Sequence, residues 1–168
     1  MLNLNDIVLK DYGMHHIEKT VMWLNDELIK ENFGIQNSVT IENHKKWFLS
    51  AENLIIKAIY AEKKYIGNIL LHLNLKHDSG FFQIYIGETD IRGRGYAEKA
   101  IRKSVSIFFD ELKLHRIWLK VFPSNNIAIH LYEKVGFVRE GIERDSFFDG
   151  ENYKNQLVYS LLRTEWND

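Results

Sequence analysis

The sequence has 168 residues, 45% hydrophobic, 13% aromatic and 27% charged, with a net charge of −1 and no cysteine. That length suits one domain, 1–168, with a sizeable core. The charge gives no global basic field for nucleic acid or a membrane surface, and the missing thiols exclude disulfides, thiolate metal sites and a cysteine nucleophile.

In chain order, the opening MLNLNDIVLK is too polar for a signal peptide. No apolar run approaches the roughly 18 residues a membrane helix needs, so the sequence predicts a cytoplasmic protein. Ile7 and Leu9 predict a short first strand. Ile17, Val21, Leu24 and Leu28 predict one helix over Met14 to Lys30, and Thr40 predicts the cap of a second. The period then changes: Asn53 to Ala61 and Tyr65 to Leu75 alternate as a hairpin, and Phe81 to Gly87 reads as a central strand. Gly95 to Leu112 predicts a long helix, His115 to Phe122 a strand, and Asn125 to Val135 a short helix capped by Asn125 and stopped by Gly136. Phe137 to Asp145 and Asn152 to Leu162 are two more strands around Asp149-Gly150, a strong hairpin signal. The order β-α-α-β-β-β-α-β-α-β-β predicts a mixed α/β fold, not the strict alternation of a doubly wound sheet.

The stretch IGETDIRGRGYAEKA, Ile86 to Ala100, sets two glycines and two arginines between a strand and a helix. A glycine turn at a helix start exposes backbone N–H groups to an anion. A P-loop sequence is absent, and a dinucleotide fingerprint fails at its sixth position, which is Glu98. What remains is R-x-x-G-x-A, spelled by Arg92, Gly95 and Ala97, with the charges of Arg92 and Arg94 suited to a pyrophosphate.

About thirty residues on comes NNIAIHLYEKVGF, Asn125 to Phe137. With the glycine loop, the strand before it and the hairpin FFDGENY, this segment resembles the GNAT superfamily of acetyl-CoA-dependent N-acetyltransferases. The resemblance covers most of the chain from Ala51 onward. It implies a twisted, V-shaped mixed sheet of six to seven strands with about four helices, and acetyl-CoA held where two parallel strands part. The amides of Arg92, Gly93, Arg94, Gly95, Tyr96 and Ala97 would cradle the pyrophosphate. The backbone of Tyr85, Ile86 and Gly87 would bind the pantetheine arm and the thioester oxygen, and Asn125 would contact the arm from the far side. Tyr132 would give the departing thiolate its proton. A thioester is already activated, so a small-molecule primary amine attacks it directly, helped by proximity, oxyanion donors and proton management. No His/carboxylate cluster has metal-ligand spacing, so no metal is expected.

The base stays open among His72, Asp78 and Glu88. For the acceptor site the sequence offers Trp23, Asn25, Trp47 and His72. The patterns W-x-N-D and E-x-H-x-x-W-F resemble enzymes that acetylate nucleotide-linked amino sugars, which ranks that acceptor first. FFQIYIG and FFDGENY resemble spermidine/spermine acetyltransferases, with Glu27, Glu31 and Glu42 as carboxylates for a polycation. The ending SLLRTEW resembles enzymes acetylating ribosomal-protein N-termini. A non-catalytic acyl-CoA sensor is the alternative of another class. Dimers are frequent in the family, which leaves a homodimer open.

Overall fold

The computed structural model describes residues 4–91 and 93–167. Its strands are β1 (Ile7–Asp11), β2 (Leu54–Ala61), β3 (Lys64–Asn74), β4 (Ser79–Ile86), β5 (Arg116–Val121), β6 (Val138–Phe148) and β7 (Tyr153–Leu162), in one sheet of order β1-β2-β3-β4-β5-β7-β6. The helices are α1 (Ile17–Leu24), α2 (Glu27–Phe33), α3 (Ile41–Ser50), α4 (Tyr96–Asp110) and α5 (Asn126–Val135). No described helix is long and apolar enough to cross a membrane.

Local chemistry sets most boundaries. Glu62 and Lys63 both take positive φ, the turn a two-residue hairpin wants, and join β2 to β3. Thr40 accepts the N–H of Asn43 at the start of α3. Asp149 accepts two turn N–H groups, from Glu151 and Asn152, between β6 and β7.

One expectation is corrected. The single helix over Met14 to Lys30 is broken into α1 and α2, so five helices replace four. Asp26 is extended (φ −65°, ψ 134°) and accepts the N–H groups of Leu28 and Ile29, starting a new helix. The break rotates the apolar face, so Ile29 is buried while Leu28 is exposed.

The helices cover opposite faces of the sheet. α4 and α5 bury Ile101, Val105, Phe108 and Val135 against Ile69, Leu71 and Phe82. On the other face Ile17 and Val21 of α1 pack over Ala58, and Trp23 and Ile29 over Tyr85. β4 and β5 are parallel and joined through α4. They pair only at Ser79–Arg116, Gly80–Ile117 and Phe81–Trp118. β5 then follows β7 while β4 follows β3, and a gap opens between them.

Candidate active site

The gap is walled by backbone on one side. Gly87 N–H donates to the Ile66 carbonyl at 2.8 Å. Residues of an antiparallel strand alternate in the edge they bond to. Tyr85, opposite Asn68, therefore bonds to β3, and Ile84 and Ile86 turn their N–H and C=O toward the gap that β5 has left. Of the three residues expected to offer backbone here, Ile86 does so, with Ile84 as the partner that sequence reasoning missed. Tyr85 and Gly87 point their N–H at β3. Gly87 has a different reason to be glycine: a Cβ there would run into the indole of Trp23.

At the gap's end the chain turns into α4. Gly93 (φ +79°) and Gly95 (φ +75°) both sit in the left-handed region. A Cβ on either would meet open space, so conformation and not room calls for glycine. The first amides of α4, on Tyr96, Ala97 and Glu98, stand at a helix start, the kind of place that suits an anion. Glu62 braces the turn: it accepts the Tyr96 hydroxyl at 2.7 Å and faces Arg94 at 3.8 Å. Glu98 is buried and tied to Arg102 (3.1 Å) and to Lys134 of α5 (2.6 Å), which fixes α4 against α5. Arg92 lies outside the described residues.

The far wall is α5. Asn125 Oδ1 accepts the Ala128 N–H at 3.2 Å, which leaves its Nδ2 for a ligand. Tyr132, two turns on, is 7% exposed and packs edge-on against Phe137, with ring centres 5.7 Å apart. Among the described residues no group hydrogen-bonds its hydroxyl. Burial pushes the phenol's pKa above its ordinary value, so it stays protonated at neutral pH.

A cavity of about 490 Å³ lies on the other face, under α1, α2 and α3. Its floor is Ile56, Asn68, Leu70, Gln83 and Tyr85; its roof includes Leu24, Phe33, His44 and Trp47. His44 Nε2 and the Tyr12 hydroxyl are 3.0 Å apart, and burial holds the imidazole's pKa below its ordinary value. Asn68 donates to the Tyr85 hydroxyl at 2.8 Å.

The four residues offered for the acceptor site separate. Trp47 lines the cavity. His72 is not among the lining residues but sits beside one, 3.2 Å from Gln83 Oε1. Trp23 is core, 3% exposed, against Gly87 and Tyr65. Asn25 is used up inside the fold: its amide bonds the Val21 carbonyl and both backbone groups of Val39, pinning the segment before α3. Among the base candidates, Asp78 sits before β4, about 25 Å of strand away from Ile86. Glu88 is held in a bridge between Lys19 and Lys64. Sequence reasoning missed Tyr12, Asn68 and Gln83. The signal for the last two was present, as polar residues interrupting apolar strands on the face that His72 shares.

Residues 6–138 match the family model described as acetyltransferase (GNAT) domain. The chain belongs to the GNAT acetyltransferase family. This GNAT chain is 36% identical over 107 residues to spermidine N(1)-acetyltransferase of Vibrio cholerae, covering 63% of this chain and 61% of that protein. It is 34% identical over 97 residues to spermidine N(1)-acetyltransferase of Escherichia coli K12, covering 58% and 52%. The chain thus aligns with between half and two thirds of the length of these two relatives. A crystal structure of spermidine N-acetyltransferase from Vibrio cholerae in complex with CoA and spermine superposes with a TM-score of 0.89, at 24% identity over 96% of this chain and 98% of that one. The two share the fold, a seven-stranded GNAT sheet with its parted strands.

Proposed function

We propose that the chain is an acetyl-CoA-dependent N-acetyltransferase acting on a small-molecule primary amine. The observation that carries this reading is the gap between β4 and β5, with Ile84 and Ile86 backbone along β4, the glycine turn and the start of α4 at its end, and α5 with Tyr132 following β5. These groups fit the donor. Strand-edge N–H and C=O groups suit an amide-bearing pantetheine arm, and the start of α4 suits a pyrophosphate. Acetyl-CoA supplies an activated thioester. The chain holds its carbonyl beside a β4 N–H, where charge develops, and brings the amine to the same place. The N–C bond forms as the C–S bond breaks. The nitrogen releases a proton to water, and Tyr132 Oη gives one to the departing sulfur. A phenol carries its proton at neutral pH and so has one to give.

For the acceptor, the two spermidine N(1)-acetyltransferases among the relatives support a polyamine more strongly than the amino-sugar nucleotide ranked first from sequence. The acetyltransferase reading is tested by thiol release from acetyl-CoA with an amine present, in the natural chain and in Tyr132→Phe. The expected result is turnover that falls about 100-fold in the variant, with acetyl-CoA affinity retained. Unchanged turnover would remove Tyr132 from the reaction. Binding without turnover in the natural chain would leave an acyl-CoA sensor.

A further inference from the structure

We infer that the cavity under α1–α3 selects a primary amine carried on an uncharged, largely apolar body, and that it disfavours a polycation. The inference rests on the acetyltransferase reading of the cleft and not on the polyamine reading of the acceptor.

Among the described residues lining the cavity, none carries a carboxylate, an ammonium or a guanidinium group. Its walls are aromatic and aliphatic, as at Phe33, Trp47 and Leu70, and its polar members are all uncharged amides and hydroxyls, such as Asn43, Asn68 and Tyr85, together with His44. The carboxylates that sequence reasoning assigned to a polycation lie elsewhere. Glu27, Glu31 and Glu42 are exposed and do not line the cavity, and Glu42 is paired with Lys46 at 2.8 Å. Glu88, just past the end of β4, is already bridged to Lys19 and Lys64.

An ammonium moved into such a lining gives up its hydration with no counter-charge in return. Aromatic faces return only a small part of that loss. A polyamine brings two or more such groups. A single amine has another course: desolvation favours its neutral form, and the neutral form is the nucleophile. The cavity reaches from Gln83 on β4 to Ile56 on β2, two strand spacings or about 10 Å. At the β2 end stand His44 and Tyr12, a neutral hydrogen-bonding pair. The fitting acceptor is therefore a ring-sized body with its amine at the β4 end and an uncharged polar tip at the other.

The test compares kcat/KM for tyramine, phenethylamine and spermidine by thiol release, with acetyl-CoA binding followed by calorimetry. The expected result is that tyramine exceeds spermidine by about tenfold or more. Spermidine turned over as well as tyramine, or better, overturns the acceptor inference and leaves the acetyltransferase reading intact. Thiol release with none of the three, acetyl-CoA still bound, overturns both. Asn43→Asp places one carboxylate on the lining at a near-identical volume, in the first turn of α3 where an acid suits the helix. It is expected to shift the ratio toward spermidine about threefold. An unchanged ratio in a variant that still binds acetyl-CoA overturns the claim that the uncharged lining sets the choice.

Discussion

The cleft and the cavity meet at β4 but are built by different means. The cleft is made of backbone: a strand edge at Ile84 and Ile86, a left-handed turn at Gly93 and Gly95, and a helix start. Its parts lie close together in sequence, in two segments. The cavity is made of side chains gathered from the residue after β1, from α1, α2, the segment before α3, α3 itself and three strands, with members from Tyr12 to Tyr85. A donor common to a whole family can be held by groups every residue possesses. An acceptor that varies must be read by side chains, and those can change one at a time without disturbing the cleft.

Substitutions on the two sides should therefore separate. Gly95→Val, which forces a β-branched residue into φ +75°, is expected to weaken acetyl-CoA binding about 10- to 100-fold, the worth of one or two charge-assisted hydrogen bonds. Its stability cost should stay near 1–2 kcal/mol. Calorimetry and urea titration read the two, and retained affinity would put the pyrophosphate elsewhere. Trp47→Ala should do the converse. It removes a wall of the cavity and is expected to raise the acceptor KM roughly 3- to 10-fold with acetyl-CoA affinity unchanged. A fall in acetyl-CoA affinity instead would mean that the cavity and the cleft are one site.

The smallest expected effect is a pH dependence confined to the cavity side. His16 and His44 are buried, and burial holds both below the ordinary imidazole value of 6.5. Below that value the unfolded chain binds protons that the folded chain refuses, so stability is lost as pH falls through about 6.5. The thermal midpoint should drop between pH 7.5 and 5.5, and His44→Gln should lessen the drop. An equal drop in the variant would place the proton uptake elsewhere.

The same contrast explains what the sequence could tell. The glycine turn, the Asn125 cap, the hairpin between Ala61 and Tyr65 (whose turn proved one residue shorter, with Lys64 in β3) and the Asp149 turn were legible because each is settled within a few residues. Trp23 was misread because the residue that makes room for it, Gly87, is far away in sequence. Asn25 was misread because its partner Val39 belongs to a segment with no period of its own. The break between α1 and α2 was hidden because Leu28 continues the apolar spacing of α1, although Asp26 had already begun a new helix. Pairings across the chain decide such residues, and no local pattern carries them.

The short pairing of β4 with β5 also has a mechanical side. Among the described residues β4 and β5 pair over three rungs at one end, continued by the Asp78 carbonyl bonding His115 and Arg116, so the sheet carries a seam along its middle. A ligand lying in that seam is a brace as well as a reactant. Saturation at a hundred times its dissociation constant adds about 2.7 kcal/mol to the folded state. Amide hydrogens of Ile84 and Ile86 should then exchange with solvent far more slowly, and the two halves should melt as one.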